Sequence, residues 1–131
     1  MKLFGVGTDI IGINRLKKSL KKKPFLSRIF SDEEIIKCKR TKNNSNCFAK
    51  RFAAKEAFSK ALGTGISKGI NFNEIVILNE KSGKPYIKLI NKTKKIVERK
   101  IKKKNYKISL SIADEKDYAV AFVTISIWKK L

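Results

Sequence analysis

Apolar and small or polar positions alternate most sharply at the start of the chain. Residues 3–10 (LFGVGTDI) put Phe4, Val6, Thr8 and Ile10 on one face and Gly5, Gly7 and Asp9 on the other, the period of a β-strand. From 12 to 23 the pattern turns helical and strongly basic, and Pro24 predicts its end. Ser31-Asp32-Glu33-Glu34 reads as a helix start, with a capping serine, carboxylates in the first turn and a glutamate three residues on. Residues 41–46 read as a polar loop. The strongest helix covers 48–62 and is closed by Gly63. Residues 71–79 read as a strand, 81–85 as a turn, and the stretch through Leu89 as a short strand. A second basic helix is predicted over 91–104. The segments 107–112 and 118–128 alternate as two strands of a hairpin around 113–117. Helices come early and an antiparallel pair late, without repeats or a linker. The expected architecture is α+β: a single domain over 1–131, mostly antiparallel sheet packed against the long helix.

Composition adds size, charge and exclusions. A chain of 131 residues, 42% hydrophobic and 33% charged, can bury a real core. Its 32 Lys and Arg against 11 Asp and Glu leave a formal charge of +21. Such a field attracts polyanions: nucleic acid, an anionic membrane surface or an acidic protein. Part of the lysine surplus accompanies a general richness in Lys, Ile and Asn and reads as solvated surface. No apolar run approaches the ~20 residues of a membrane helix, and Gly5, Gly7 and Asp9 interrupt the first apolar stretch too early for a signal segment. Cys38 and Cys47 make no disulfide framework, so a reducing cytoplasm is the expected location. The absence of histidine excludes His-built zinc sites, His-based triads and imidazole bases.

Two elements carry charges that their patterns do not explain. On the 48–62 helix, Phe48, Ala49, Phe52, Ala53 and Ala57 share one arc, and Glu56 and Lys60 fall within it. Lys50, Arg51, Lys55 and Ser59 take the other side. Charges on a packed face need compensation, either as an i,i+4 pair at the core edge or as a site. Asp9 is a poor strand former on the face opened by two glycines. It either caps the following segment or serves as a hard-metal ligand. Mg²⁺ usually takes one or two carboxylates plus substrate phosphates and water. Asp9 and Glu56 supply that pair if strand and helix pack together, with Lys60 facing the phosphates. The Gly63-Thr64-Gly65 turn offers bare N–H groups to a phosphate, and Lys84, in the Gly83-Lys84-Pro85 turn, is a further candidate phosphate contact. The basic stretch from Arg15 through Lys18 and Lys22, continued by Arg28, is either a solvated face or a docking strip for an acidic helix.

Together these segments resemble the holo-acyl-carrier-protein synthase family, the small phosphopantetheinyl transferases. The likeness runs over almost the full chain. It rests on GVGTDI followed by Arg15, on FAKRFAAKEAFSKALGTGI at 48–66, on SGKPYI at 82–87 and on LSIADEKDYAVAFV at 110–123. The resemblance implies a homotrimer with active sites at subunit interfaces. It implies transfer of 4'-phosphopantetheine from coenzyme A to a serine of apo-acyl carrier protein, in support of fatty acid biosynthesis. Mg²⁺ would be held by Asp9 and Glu56, and Lys60 would stabilise charge on the diphosphate. Coenzyme A would meet Lys60, Gly63, Thr64, Gly65 and Lys84. Arg15, Lys18, Lys22, Arg28, Arg51 and Phe52 would meet the acidic carrier. Many members carry His where this chain has Asp114. Asp114 and Glu56 are both candidates for the base, and Asp114 equally fits a residue that only shapes the hairpin. The rival reading, a basic RNA- or ribosome-binding module, finds no RNP-type aromatic strand, zinc knuckle or GXXG loop of that kind. Neither nucleic acid nor membrane is the expected partner.

Overall fold

The structure, a computed structural model, describes residues 1–63, 69–102 and 104–129. Strand β1 (Lys2–Gly12) is followed by three helices, α1 (Ile13–Leu20), α2 (Lys23–Ile29) and α3 (Asp32–Arg40). The long helix α4 (Asn44–Leu62) leads through a 3-10 turn at Phe72–Glu74 into a hairpin of β2 (Ile75–Asn79) and β3 (Pro85–Leu89). Helix α5 (Asn91–Lys100) then precedes β4 (Asn105–Asp114) and β5 (Tyr118–Trp128). β1, β5 and β4 form an antiparallel three-stranded sheet in the order β1-β5-β4, while β2 and β3 pair separately. This is the expected α+β architecture, with the long helix laid across the main sheet. Among the described residues no helix is long and apolar enough to cross a membrane.

Several boundaries differ from the sequence pattern for local reasons. The basic segment is two helices, because Pro24 sits in the first turn of α2, where its missing N–H costs nothing. Helix α4 begins at Asn44 and absorbs part of the expected loop. The segment read as strand over 71–79 starts with the 3-10 turn, and α5 ends at Lys100. Cys38 and Cys47 are bonded, with Cα atoms 5.4 Å apart. Two cysteines did not read as a disulfide framework, yet α3 packs back against the first turns of α4 and brings the two sulfurs together.

The largest correction concerns α4. The side read as polar is buried as well: Lys55 is 0%, Ser59 2% and Arg51 4% exposed. Buried residues surround most of the helix and its open strip runs through Phe52, Glu56 and Lys60, so the one-sided apolar stripe on which the period depends is lost. Lys55 is accommodated because every ammonium proton has an acceptor. Its Nζ donates to Glu34 Oε1 at 2.7 Å, Phe72 O at 2.7 Å and Ile75 O at 2.6 Å. Glu34 accepts in turn from the Ser31 backbone N at 3.0 Å and from Ile77 N at 3.1 Å. The predicted capping box of α3 is therefore present, and its glutamate doubles as the counterion of α4. Burial pulls the Lys55 amine down to about 8, against the upward pull of Glu34.

This knot joins α3, α4, the 3-10 turn and β2. Lys55→Met leaves a buried carboxylate without its counterion and is expected to cost about 3–5 kcal/mol in urea unfolding. The Glu34→Leu/Lys55→Met double variant, which removes both charges, is expected to be more stable than either single variant. A double variant no better than Lys55→Met would assign the loss to the backbone groups left unpaired.

Candidate active site

Two glycines determine how closely β1 can lie on α4. A Cβ on Gly5 would fall on the carbonyl of Ala61, and one on Gly7 on the carbonyl of Ala57. Two residues along a strand and four along a helix advance by similar distances, about 6–7 Å. The glycine face and the alanine row therefore run together. The next position on the same face is Asp9, whose carboxylate is within reach of Lys60 on the helix.

Lys60 Nζ donates to Asp9 Oδ1 at 3.2 Å and to Thr8 O at 3.0 Å. The Lys60 side chain is 55% exposed and that of Asp9 16%. Glu56, one turn before Lys60, is half-buried. Its carboxyl is raised above the usual range by burial and then by the charge of Asp9, with Lys60 pulling the other way. Two carboxylates against one ammonium leave the cluster net negative. The upward shift of Glu56 means that Lys60 does not neutralise it. Such a pair suits a divalent cation, which relieves the repulsion. No group of three or more His, Cys, Asp or Glu placed to hold a metal occurs among the described residues. A cation at this pair would need oxygens from substrate and water to complete its shell.

A second grouping lies at the other end of α4. A cleft of about 610 Å³ opens between the start of α4, the β2–β3 turn and the end of β4. Asn46 Nδ2 donates to Asp114 Oδ2 at 2.7 Å and to Glu115 O at 3.3 Å, and Lys50 Nζ is 3.9 Å from Asp114 Oδ1. Arg51 is turned into the same wall. Its Nη2 donates to Asn79 Oδ1 at 3.0 Å and its Nη1 to Cys47 O at 3.3 Å and Cys47 Sγ at 3.2 Å. Its Nε is buried without a partner among the described residues. Lys37 and Lys81 add further positive charge to the lining.

Asp9, Glu56 and Lys60 are thus brought together, and Asp114 is not with them. Lys50, beside Asp114, is ten residues from Lys60, about 15 Å along the helix. Arg51 faces the cleft and Phe52 packs between Phe25 and Phe72, so neither lies on the basic strip. Arg15 and Lys18 on α1, Lys22 in the link and Arg28 on α2 are exposed. Gly63 caps α4 in a left-handed conformation, φ 85°. Thr64 and Gly65 lie outside the described residues. Lys84 is exposed on the β2–β3 turn, flanked by two residues of the cleft wall, Gly83 and Pro85. Sequence reasoning missed Asn46 and Asn79. The first stood in an expected loop, and the second ends a strand with nothing in its neighbourhood to single it out.

A family model described as 4'-phosphopantetheinyl transferase superfamily matches residues 5–123. A holo-[acyl-carrier-protein] synthase of Pelagibacter ubique is 46% identical, over 95% of this chain and 98% of the relative. Among solved structures, the holo-[acyl-carrier-protein] synthase of Neisseria meningitidis superposes with a TM-score of 0.85 at 36% identity, over 95% of this chain and 98% of that one. The enzyme of the same description from Bacillus anthracis, in complex with CoA (3',5'-ADP), gives a TM-score of 0.78 at 35% identity, over 95% of this chain and 97% of that one.

The close approach of β1 to α4 is directly testable. Gly7→Ala is expected to cost about 1–3 kcal/mol in chemical denaturation, because a backbone carbonyl must move to admit the methyl. Gly12→Ala is the control. Among the described residues its Cβ meets only the Arg15 Cβ, at 4.0 Å, and a change below about 0.5 kcal/mol is expected.

Proposed function

Because the chain belongs to the 4'-phosphopantetheinyl transferase superfamily, we propose that it moves the 4'-phosphopantetheine group of coenzyme A onto a serine of apo-acyl carrier protein. The other product is adenosine 3',5'-bisphosphate, and the reaction serves fatty acid biosynthesis. One observation carries the chemistry: the Asp9–Lys60 pair at 3.2 Å, with Glu56 one turn before Lys60. A basic RNA-binding module would have no use for it.

Phosphoryl transfer depends on positioning and charge neutralisation more than on covalent help from the protein. Asp9 and Glu56 would hold Mg²⁺ together with diphosphate oxygens, and the ion would supply charge neutralisation there. Lys60, tethered by Thr8 O and Asp9, would set its ammonium beside the same oxygens as charge develops. The serine hydroxyl attacks the β-phosphorus and the bond to the bisphosphate breaks. The exposed cations Arg15, Lys18, Lys22 and Arg28 would steer the acidic carrier to this end of the molecule. The cationic cleft suits the anionic adenosine end of coenzyme A, with Lys84 on its rim.

In a single chain that cleft lies about 15 Å from Lys60, so one copy offers two half-sites. The outer face of the main sheet supports their union across copies. Val6 is 48%, Ile10 66%, Tyr118 51%, Val120 38% and Phe122 47% exposed, a contiguous apolar patch over β1 and β5. Patches of this kind mark interfaces, and we assign it to the contacts of a homotrimer. Asp114 of one copy would then serve the Asp9–Lys60 cluster of the next and take the serine proton.

Four measurements test this reading. Incubation with apo-carrier, coenzyme A and Mg²⁺ is expected to add one phosphopantetheine unit to the carrier mass, and EDTA to abolish the shift. Asp9→Ala is expected to keep carrier binding and lose turnover by at least about a hundredfold; unchanged turnover would remove Asp9 from the metal site. Mixing Asp9→Ala with Asp114→Asn subunits is expected to restore part of the activity that each variant lacks. If Asp114→Asn alone leaves kcat intact, the residue only shapes the β4–β5 turn. The raised Glu56 carboxyl sets the pH dependence. It takes up a proton before an ordinary glutamate does, so the half-saturating Mg²⁺ concentration should rise as the pH falls from neutrality toward the carboxylate range.

A further inference from the structure

The Cys38–Cys47 bond has no part in the transfer reaction, yet it borders the cleft. Cys38 is fully buried in α3, while Cys47 belongs to the cleft wall. Residues 39–46 run between them, and Thr41, Asn43 and Asn46 of that segment line the same cleft. The bond therefore ties this part of the wall at both ends. The Cys47 sulfur accepts from Arg51 Nη1 at 3.2 Å, and the same guanidinium reaches across to Asn79. A cation at that distance stabilises the negative charge of a thiolate, the species that attacks disulfides. Inside reducing compartments a disulfide is more often transient or redox-sensing than structural.

We propose that Cys38 and Cys47 form a reversible thiol–disulfide couple that sets the rigidity and charge of the cleft wall, with the disulfide favouring the bound state of the anionic adenosine end of coenzyme A. The inference rests on assigning coenzyme A to this cleft. With the disulfide closed, the Cys47 sulfur is neutral, the Arg51 charge stays available to an anion, and the 39–46 segment is held at both ends. Once it is opened, a Cys47 thiolate competes for Arg51, and the segment gains freedom that a ligand must restrict again.

A low-molecular-weight disulfide is the oxidant. The Cys47 thiolate, reached through the cleft, attacks one of its sulfurs and releases one thiolate. The Cys38 thiolate then attacks the Cys47 sulfur and releases the second. Two protein thiols are oxidised, one small disulfide is reduced to two thiols, and the two cysteine protons end on the released thiolates. The second step is intramolecular, so the burial of Cys38 does not impede it.

Binding and oxidation are linked, and the coupling is reciprocal. The test equilibrates the protein in mixtures of oxidised and reduced glutathione, with and without adenosine 3',5'-bisphosphate, which carries the adenosine end of coenzyme A without its thiol, followed by alkylation and mass analysis. The bisphosphate is titrated onto the fully oxidised and fully reduced protein in parallel. Binding to the oxidised form is expected to be at least about fivefold tighter, with the redox midpoint displaced by the same factor when the bisphosphate is present. Cys38→Ala is expected to bind like the reduced form in both buffers. Equal affinities in the two states, or no disulfide at any glutathione ratio, would overturn the proposal. If adenosine 3',5'-bisphosphate binds neither form, the ligand assignment fails instead, and hydrogen exchange over residues 39–51 decides the couple. Faster exchange in the reduced protein supports it, and identical exchange in both states overturns it.

Discussion

The contact on which the rest depends is the one between β1 and α4, where strand backbone meets helix backbone without a side chain between them. Gly5 and Gly7 make it, because any Cβ there would occupy the space of the Ala61 and Ala57 carbonyls. Small residues are needed on both partners, and the chain supplies them in matching steps of two and four. The effect reaches past packing. With the strand this close, the following position is within reach of a lysine on the helix surface, and Asp9 is there. A strand standing off by one methyl layer would leave Asp9 and Lys60 as separate solvated charges.

Helix α4 can serve as this platform because its opposite side is anchored just as firmly. The Glu34–Lys55 pair is a poor source of net stability, since taking two charges out of water costs about as much as their attraction returns. Its value lies in direction. Three acceptors around one ammonium and three donors around one carboxylate are satisfied together in one rotational setting of α4. That setting points Glu56, the next residue, toward β1. The same register turns Arg51, one turn back, toward the cleft.

Much of this was legible in the sequence where the period of a segment matched its burial. The strand at 3–10, its glycine face and Asp9 could be read because one face of β1 packs and the other does not. The capping box at Ser31 could be read because it is local chemistry. The helical wheel of 48–62 failed on Lys55, Ser59 and Arg51, since the helix is buried around most of its circumference and its open strip carries Phe52, Glu56 and Lys60 instead. Lys55 looked like a surface residue because its partner Glu34 lies 21 positions away, and no local pattern encodes that pairing. The cleft was illegible for the same reason: Asn46, Asn79 and Asp114 meet only once α4, the β2–β3 turn and the end of β4 are assembled. The pairing of Cys38 with Cys47 depended on the angle between α3 and α4, which composition does not carry.

The charge of the chain acts on two length scales. A formal +21 favours ionised carboxylates everywhere on the molecule, yet the Glu56 carboxyl is raised. At physiological salt the field of surface lysines fades over about 8 Å, so burial and the neighbouring Asp9 decide the matter. The basic surface governs what approaches, because the summed field of many exposed charges accelerates encounter with acidic partners. The Asp9–Glu56 pair governs what is held at the crossing of β1 and α4, because there desolvation makes each added charge count for more. A cation at a carboxylate pair inside a strongly cationic chain is therefore no contradiction. The local cluster is net negative, and the excess positive charge lies on exposed lysines and arginines spread over the helices, strands and turns elsewhere.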